Sequence, residues 1–279
     1  MGKIVGAFAT SHSPGITGFP EMANEEQRNN VYRAFERVRR ELEAARPDAI
    51  VCVSVEHFTS FFLNNYPAFC IGIADSYIGP PTPEFERFLR VESRTFPGHA
   101  ALGNELLRFA YRSGFDPSFS SGDMAFDENF CVPFHFLLPG DDLVPLVPII
   151  VNGVQPPLPT RRRCYEFGRM LARAIETQTV AERVVVLATG GLSHWVGAPE
   201  SGQIDTEWDR RVMDLLSQGR GEEIADWSDE EVAAAGNGAE EIRTWLILAG
   251  AVHGRKFRFH AYEPVPPWLT GTAVASVEL

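Results

Sequence analysis

The 279-residue sequence predicts an α/β fold, a single compact domain with a mixed central sheet flanked by helices. Short runs rich in Val, Ile and Ala, apolar almost throughout, suit strands covered on both faces. Longer stretches between them repeat their apolar residues at helical spacing. Glycine and proline punctuate the junctions, and no internal repeat, low-complexity tract or linker divides the chain. Hydrophobic residues make up 44% and charged residues 22%, a globular balance that allows a large core at this length.

The elements follow in order. "MGKIVGAFATSHSPG" reads as a first strand that turns at Pro14 and Gly15. Its single lysine, short apolar run and lack of a small-residue cleavage pattern argue against an export signal. Gly6 stands where the N-myristoylation pattern wants Ser or Thr. Residues 24–46 form an amphipathic helix with Val31, Phe35, Val38 and Leu42 on one face, and Pro47 breaks it. "AIVCVSVEHF" (49–58) suits a central strand and "AFCIGIA" (68–74) a second short one, after which Pro80, Pro81 and Pro83 mark a surface loop. "HAALGNELLRFAYRSG" is a helix closed by Gly114. "LVPLVPIIVNG" is a strand interrupted by two prolines, which places it at an edge or a bulge. "RRRCYEFGRMLARAIETQ" is a helix, and "RVVVLATGGLSH" (183–194) a buried strand running into a glycine turn. The chain from about 205 to 252 is mostly helical, a candidate subdomain within the single domain 1–279, and "KFRFHAYEPV" and "GTAVASVEL" close the sheet.

A formal net charge of −12 argues against nucleic acid or anionic membrane as a partner, since both recruit clustered Lys and Arg. Arg161-Arg162-Arg163 is too short for such a stripe and reads as a solvated helix start. No apolar stretch approaches the ~20 residues that span a bilayer. Cys52, Cys70, Cys131 and Cys164 are scattered without a C-x-x-C pair, as expected of free thiols in a reducing, cytoplasmic setting.

Three strands run out into histidine: His12 after the first, His57 after "VCVSVE" and His194 after "VVVLATGGLS". Ligand sites in open α/β sheets form at the carboxyl ends of strands, so the three imidazoles are candidates for one crevice. Paired imidazoles suit a divalent transition metal and need a third ligand. Two His and one carboxylate form the facial triad of non-haem Fe(II) oxygen chemistry, and the same set holds catalytic zinc. The chain has 37 Asp and Glu, so the carboxylate is open. Glu240 and Glu241 begin an apolar helix, where compensation of the helix dipole explains them without a metal. Glu241 shares a face with Trp245 and Leu248, however, and a carboxylate on a buried face needs a partner.

These residues resemble the class III (LigB-type) extradiol ring-cleavage dioxygenases over nearly the whole chain. "SHSPG" is similar to the family's first ligand segment and "VEHFTSFFLNNYPAFCIGI" to its second. "TGGLSHW" is similar to the segment whose histidine acts as acid and base, and "EEIRTWLILAGA" to the helix whose glutamate stands four residues before a tryptophan. The resemblance implies Fe(II) held by His12, His57 and Glu241, with His194 as the acid/base. It implies a catechol-type or aminophenol substrate opened by O2 to a muconic semialdehyde-type product. It also implies a homo-oligomer, with a small second subunit as a further partner.

One stretch departs from the family. "FDENFCVPFHFLL" carries Asp127-Glu128-Asn129 where many members have a D-H-G segment, so Glu128 stands in the place of a second active-site histidine. Its carboxylate could accept a hydrogen bond from a substrate amine or hydroxyl. Two other readings stand beside ring cleavage: a zinc-dependent hydrolase on the same scaffold, with His194 or Glu128 as base, and a non-catalytic subunit of such an enzyme. A serine hydrolase has no G-x-S-x-G elbow in its support. The remaining histidines read as structural: His99 at a helix start, His135 in a core, His253 at a helix end and His260 in a late strand. Phe58, Phe61, Phe62 and Tyr66 read mostly as core, with a ring-binding pocket as their alternative.

Overall fold

The computed structural model of the protein describes residues 1–122 and 124–279. The chain runs β1 (Lys3–Thr10), α1 (Gly15–Gly18), α2 (Glu25–Ala45), β2 (Ala49–Ser54), β3 (Phe69–Gly72), β4 (Ser76–Gly79), α3 (Pro83–Leu89), β5 (Arg94–Pro97), α4 (Ala100–Arg112), β6 (Ser118–Ser120) and α5 (Glu128–Leu137). It continues through β7 (Leu146–Val151), α6 (Arg161–Thr177), β8 (Arg183–Thr189), α7 (Thr206–Ser217), α8 (Gly221–Ile224), α9 (Asp229–Ala233), α10 (Ile242–Ala251), β9 (Phe257–Val265) and β10 (Thr270–Val277).

Eight strands form one sheet in the order β6-β3-β7-β2-β8-β1-β10-β9. The four central strands, β7, β2, β8 and β1, are parallel, while β3 and β10 pair antiparallel on either side of them. Side chains alternate across these strands with a period of two and separate two cores. Val51, Val53, Val184 and Val186 pack under Leu106, Phe167 and Trp245 from α4, α6 and α10. Ile50, Cys52, Val185 and Leu187 pack on the other face under Phe35, Val38 and Phe134 from α2 and α5. Each such fully buried side chain contributes ~1.5–3 kcal/mol of transfer free energy. The mixed sheet flanked by helices is the predicted fold, and α10 joins the layer of α6 beneath β8. Among the described residues no helix is long and apolar enough to cross a membrane.

The ends of the helices carry the caps their sequences suggest. The Asn24 side chain accepts from Gln27 N at 2.9 Å to start α2, and Arg46 ends it in the left-handed region. His99 caps α4 by accepting from Leu102 N, and Gly114 follows that helix at φ +75.

The structure differs from the sequence reading in five places. First, β2 stops at Ser54 and β8 at Thr189, short of His57 and His194. Beyond Ser54 the His57 amide donates to Asp127 Oδ2 at 2.7 Å instead of to a neighbouring strand, and the buried Glu56 carboxylate organises the loop that follows by accepting from the amides of Thr59, Ser60 and Phe61. Second, the supposed surface loop at Pro80–Pro83 contains structure: β4 and β5 pair as a small antiparallel sheet, and Pro83 opens α3, where its fixed φ suits the first turn. Third, β7 is a central strand despite Pro148. Its pairing with β3 ends at Ile71↔Ile149, and Gly72 has no side chain to oppose the Pro148 ring.

Fourth, the Arg161 cluster is not a solvated helix start. Arg161 is buried and pairs with Asp229 at 2.7 Å, Arg162 pairs with Glu222 and Asp226, and Arg163 stacks 3.5 Å over the Phe115 ring. Fifth, His135 faces solvent because α5 turns it away from the core side occupied by Phe130 and Phe134. Phe58 and Phe62 are likewise exposed, on the loop that Glu56 organises.

Candidate metal centre and active site

Strands β2, β8 and β1 lie side by side, and their last residues, Ser54, Thr189 and Thr10, end in one row. Whatever follows them in sequence therefore emerges along one edge. His12 follows β1, His57 follows β2, and the turn 190–194 follows β8. The fourth contribution comes from a 3₁₀ turn (237–241) that leads into α10 and places Glu241 beneath that edge.

The side chains converge on Glu241. His12 Nε2 lies 3.3 Å from its Oε2, while His57 Nε2 and His194 Nε2 each lie 3.5 Å from Oε1. The His12 and His57 rings meet edge to face, with centroids 5.2 Å apart. One ligand atom from each of His12, His57 and Glu241 falls within 4.8 Å of the others. Two ligands ~2.1 Å from a common first-row ion are ~3.0 Å apart at right angles and ~3.4 Å apart in a tetrahedron. The separations here have that scale, and the donor set, two imidazoles and a carboxylate, suits a divalent transition metal.

Each donor is aimed by a partner on its far side. His12 Nδ1 sits 3.2 Å from Thr189 Oγ1, which donates to the carbonyl of Asn129 at 2.7 Å. His57 Nδ1 sits 3.3 Å from Asp127 Oδ1, and the His57 amide donates to Asp127 Oδ2 at 2.7 Å. Asp127 is fully buried and also caps α5 by accepting from Asn129 N. With both Nδ1 atoms engaged, both Nε2 atoms face Glu241, the arrangement in which a carboxylate or hydroxyl behind an imidazole fixes its tautomer and raises its basicity. Glu241 Oε2 accepts from the amide of Gly191 at 2.5 Å.

Asp127 and Glu128 also form a second candidate cluster with the outer side of His57, whose Nδ1 is 3.4 Å from Glu128 Oε1. Asp127 already accepts from two backbone amides and faces His57 Nδ1, so its role is to orient that ring.

The electrostatics favour positive charge at the point of convergence. Burial works against the Glu241 carboxylate, but His12 and His194 outweigh it and hold Glu241 well below the usual carboxylate range. Burial likewise opposes charge on His57, and Glu128 and Asp127 overcome it to lift its pKa well above the ordinary value. His194 is raised in the same way, with Glu241 overcoming burial. A cation placed among these groups satisfies buried carboxylates that would otherwise be costly.

His194 is held differently from the other two. Its Nδ1–H donates to the carbonyl of Leu192 at 2.9 Å, leaving Nε2 directed at the cluster. Its ring is boxed by glycine. A Cβ on Gly238 would lie inside the van der Waals radius of the ring, and Gly236, at φ +108, presses against the His194 carbonyl. Behind the turn, Asp209 of α7 accepts from Ser193 N at 2.8 Å and from the Tyr262 hydroxyl at 2.6 Å.

A cavity of about 390 Å³ opens above the cluster. His12, His57, His194, Glu128 and Glu241 reach it from below, and Phe19, Phe88, Trp195 and Trp268 are among its walls. The structure thus brings together all five residues singled out in the sequence. Phe58, Phe61 and Phe62 line other surfaces instead, and the Tyr66 hydroxyl donates to the Glu56 carbonyl at 2.7 Å. Sequence reasoning missed the orienting Asp127 and Thr189 and the apolar walls. An Asp directly before a helix is an N-cap signal that pointed at Asp127, whereas nothing local marks Thr189 or Trp268.

The profile of the family described as the catalytic LigB subunit of aromatic ring-opening dioxygenase matches residues 6–271. The chain is 30% identical over 311 aligned positions to a 2,3-dihydroxyphenylpropionate/2,3-dihydroxicinnamic acid 1,2-dioxygenase of Klebsiella pneumoniae, with 94% of each chain covered. It is 29% identical, at the same coverage, to proteins of that description from Escherichia coli. A crystal structure of an uncharacterized protein from Escherichia coli K12 shares the fold, with a TM-score of 0.62 and 18% identity over 97% of this chain and 98% of that one.

Proposed function

We propose that this chain, which belongs to the LigB family of aromatic ring-opening dioxygenase catalytic subunits, opens the ring of a catechol-type or aminophenol substrate beside its adjacent heteroatoms, using O2 and a non-haem Fe(II). The observation that carries the reading is the convergence of His12 Nε2, His57 Nε2 and the Glu241 carboxylate from three neighbouring elements beneath an open cavity. When bound, Fe(II) supplies open coordination positions for diol and dioxygen and a path for electrons between them.

The chain's own residues do the rest. His12, His57 and Glu241 would hold the metal, and all three line the cavity in which substrate would meet it. His194 Nε2 takes the proton of a substrate hydroxyl and later returns it, a role suited to an imidazole held by a single backbone acceptor. Glu128 accepts a hydrogen bond from a substrate hydroxyl or amine. The aromatic walls exclude water and orient the ring. The named relatives are dioxygenases, which favours this reading over a zinc-dependent hydrolase or a non-catalytic subunit. A reducing, cytoplasmic setting accords with four unpaired, buried cysteines.

The test is anaerobic reconstitution with Fe(II) and with Zn(II), followed by oxygen uptake against catechols and aminophenols. Uptake of one O2 per ring opened, with iron only, is expected. Zinc-supported hydrolysis with no oxygen uptake would refute the proposal.

A further inference from the structure

We propose that the cavity selects an aromatic diol whose ring substituent is uncharged and apolar, and discriminates against one that carries a carboxylate. The inference rests on the ring-cleavage reading and adds the substrate class. Met22, Phe88, Val196 and Leu269 line the cavity at its mouth and are 54%, 44%, 58% and 48% exposed. Single exposed apolar side chains are ordinary on a protein surface, but a ring of them around a cavity marks a site for an apolar group.

Charge points the same way. Among the described residues that line the cavity there is no Lys or Arg, and the ionisable ones are three histidines, Glu128 and Glu241. Arg90, two positions beyond Phe88, is not among the lining residues and gives two hydrogen bonds to Glu21, at 2.9 and 2.8 Å. A carboxylate on the substrate tail would give up its hydration for apolar walls and find no Lys or Arg there. An alkyl or aryl tail would instead cover Phe88, Leu269 and Met22. The relatives are named for 2,3-dihydroxyphenylpropionate, an acid, so this chain would differ from them at the tail and not at the diol.

The test compares 3-(2,3-dihydroxyphenyl)propionate with its methyl ester, which differ in charge at nearly equal size. Trp195 and Trp268 line the cavity, so anaerobic quenching of tryptophan fluorescence reads binding independently of turnover. The ester is expected to bind about tenfold or more tighter than the acid and to show the higher kcat/KM by a similar factor. Met22→Arg, at an exposed position, is expected to close or reverse that ratio by supplying the missing cation. Equal or tighter binding of the acid by the unaltered protein overturns the proposal. If the iron-loaded enzyme opens neither ring while fluorescence still ranks ester above acid, ring cleavage fails and the charge preference stands. If both rings open with equal kcat/KM, ring cleavage stands and the preference falls. Phe88→Ser is expected to weaken ester binding without altering sedimentation. A changed oligomeric state with unchanged ester affinity would assign the apolar ring to a subunit contact and overturn the proposal.

Discussion

At the scale of single residues, the proposed mechanism divides the site into side chains that would hold a metal and one that would move a proton. Removing a holder opens the cluster and leaves buried charge unpaired. His57→Ala and Glu241→Ala are therefore expected to lose bound iron, measured by metal analysis after gel filtration. Stoichiometric iron in either variant would contradict its assignment as a ligand. His194→Ala should keep its iron and lose ~10²–10⁴-fold in kcat, the usual contribution of a positioned acid/base.

Asp209 acts one layer further back, as a positioning residue for the turn that carries His194. Burial pushes its carboxyl up to about 6, while its hydrogen bonds from Tyr262 and Ser193 work in the opposite direction. The folded protein thus holds this proton more tightly than the unfolded chain, whose Asp titrates near ~3.9. The associated stability is fully present below that value and is lost as pH rises through about 6. Asp209→Asn keeps an acceptor for Ser193 N and removes the titration. The difference in urea midpoint between wild type and variant should change between pH 4 and pH 7, in the direction that favours wild type at the acid end. A pH-independent difference would mean the carboxyl does not titrate in that window.

At the scale of elements, the site exists because β2, β8 and β1 end together and a 3₁₀ turn brings Glu241 under them. The strand ends were legible in sequence as apolar runs followed by histidine, whereas Glu241, one residue before α10, was singled out among the carboxylates by the family resemblance. The exact points of departure from the sheet were not legible. The apolar pattern continues through Val55, and only the tertiary capture of the His57 amide by Asp127, 70 positions away, shows where pairing stops. Pro148 misled for a similar reason, since its tolerance in a central strand depends on Gly72 of a neighbouring one. The cavity walls were illegible because Phe19, Phe88 and Trp268 come from three segments with no common motif. Gly238 shows how tightly one element sets another. Gly238→Ala is expected to displace the His194 ring, lowering kcat at least tenfold while iron content stays near wild type. Wild-type kcat in that variant would show that the turn can yield.

At the scale of the whole molecule, two cores on either side of the sheet supply the stability, and the candidate metal centre lies at the rim where neither core reaches. A cation bound there couples to global folding by mass action. Saturation at 100 times Kd adds ~2.7 kcal/mol, which for a chain of this size corresponds to a rise of about 5 °C in Tm. Fe(II) or Zn(II) should produce that shift anaerobically, EDTA should reverse it, and His57→Ala should abolish it. An unchanged Tm in the wild-type protein would place metal binding outside the folded core.

The closing strand β10 lies beside β1, and Ser11, next to His12, gives its amide to Ala273 and accepts from that residue's amide. The first imidazole is therefore seated by a strand some 260 positions away in the sequence. Pairing of β1 with β10 is thus a condition for the proposed site, and parting the two strands would undo it without touching a single donor.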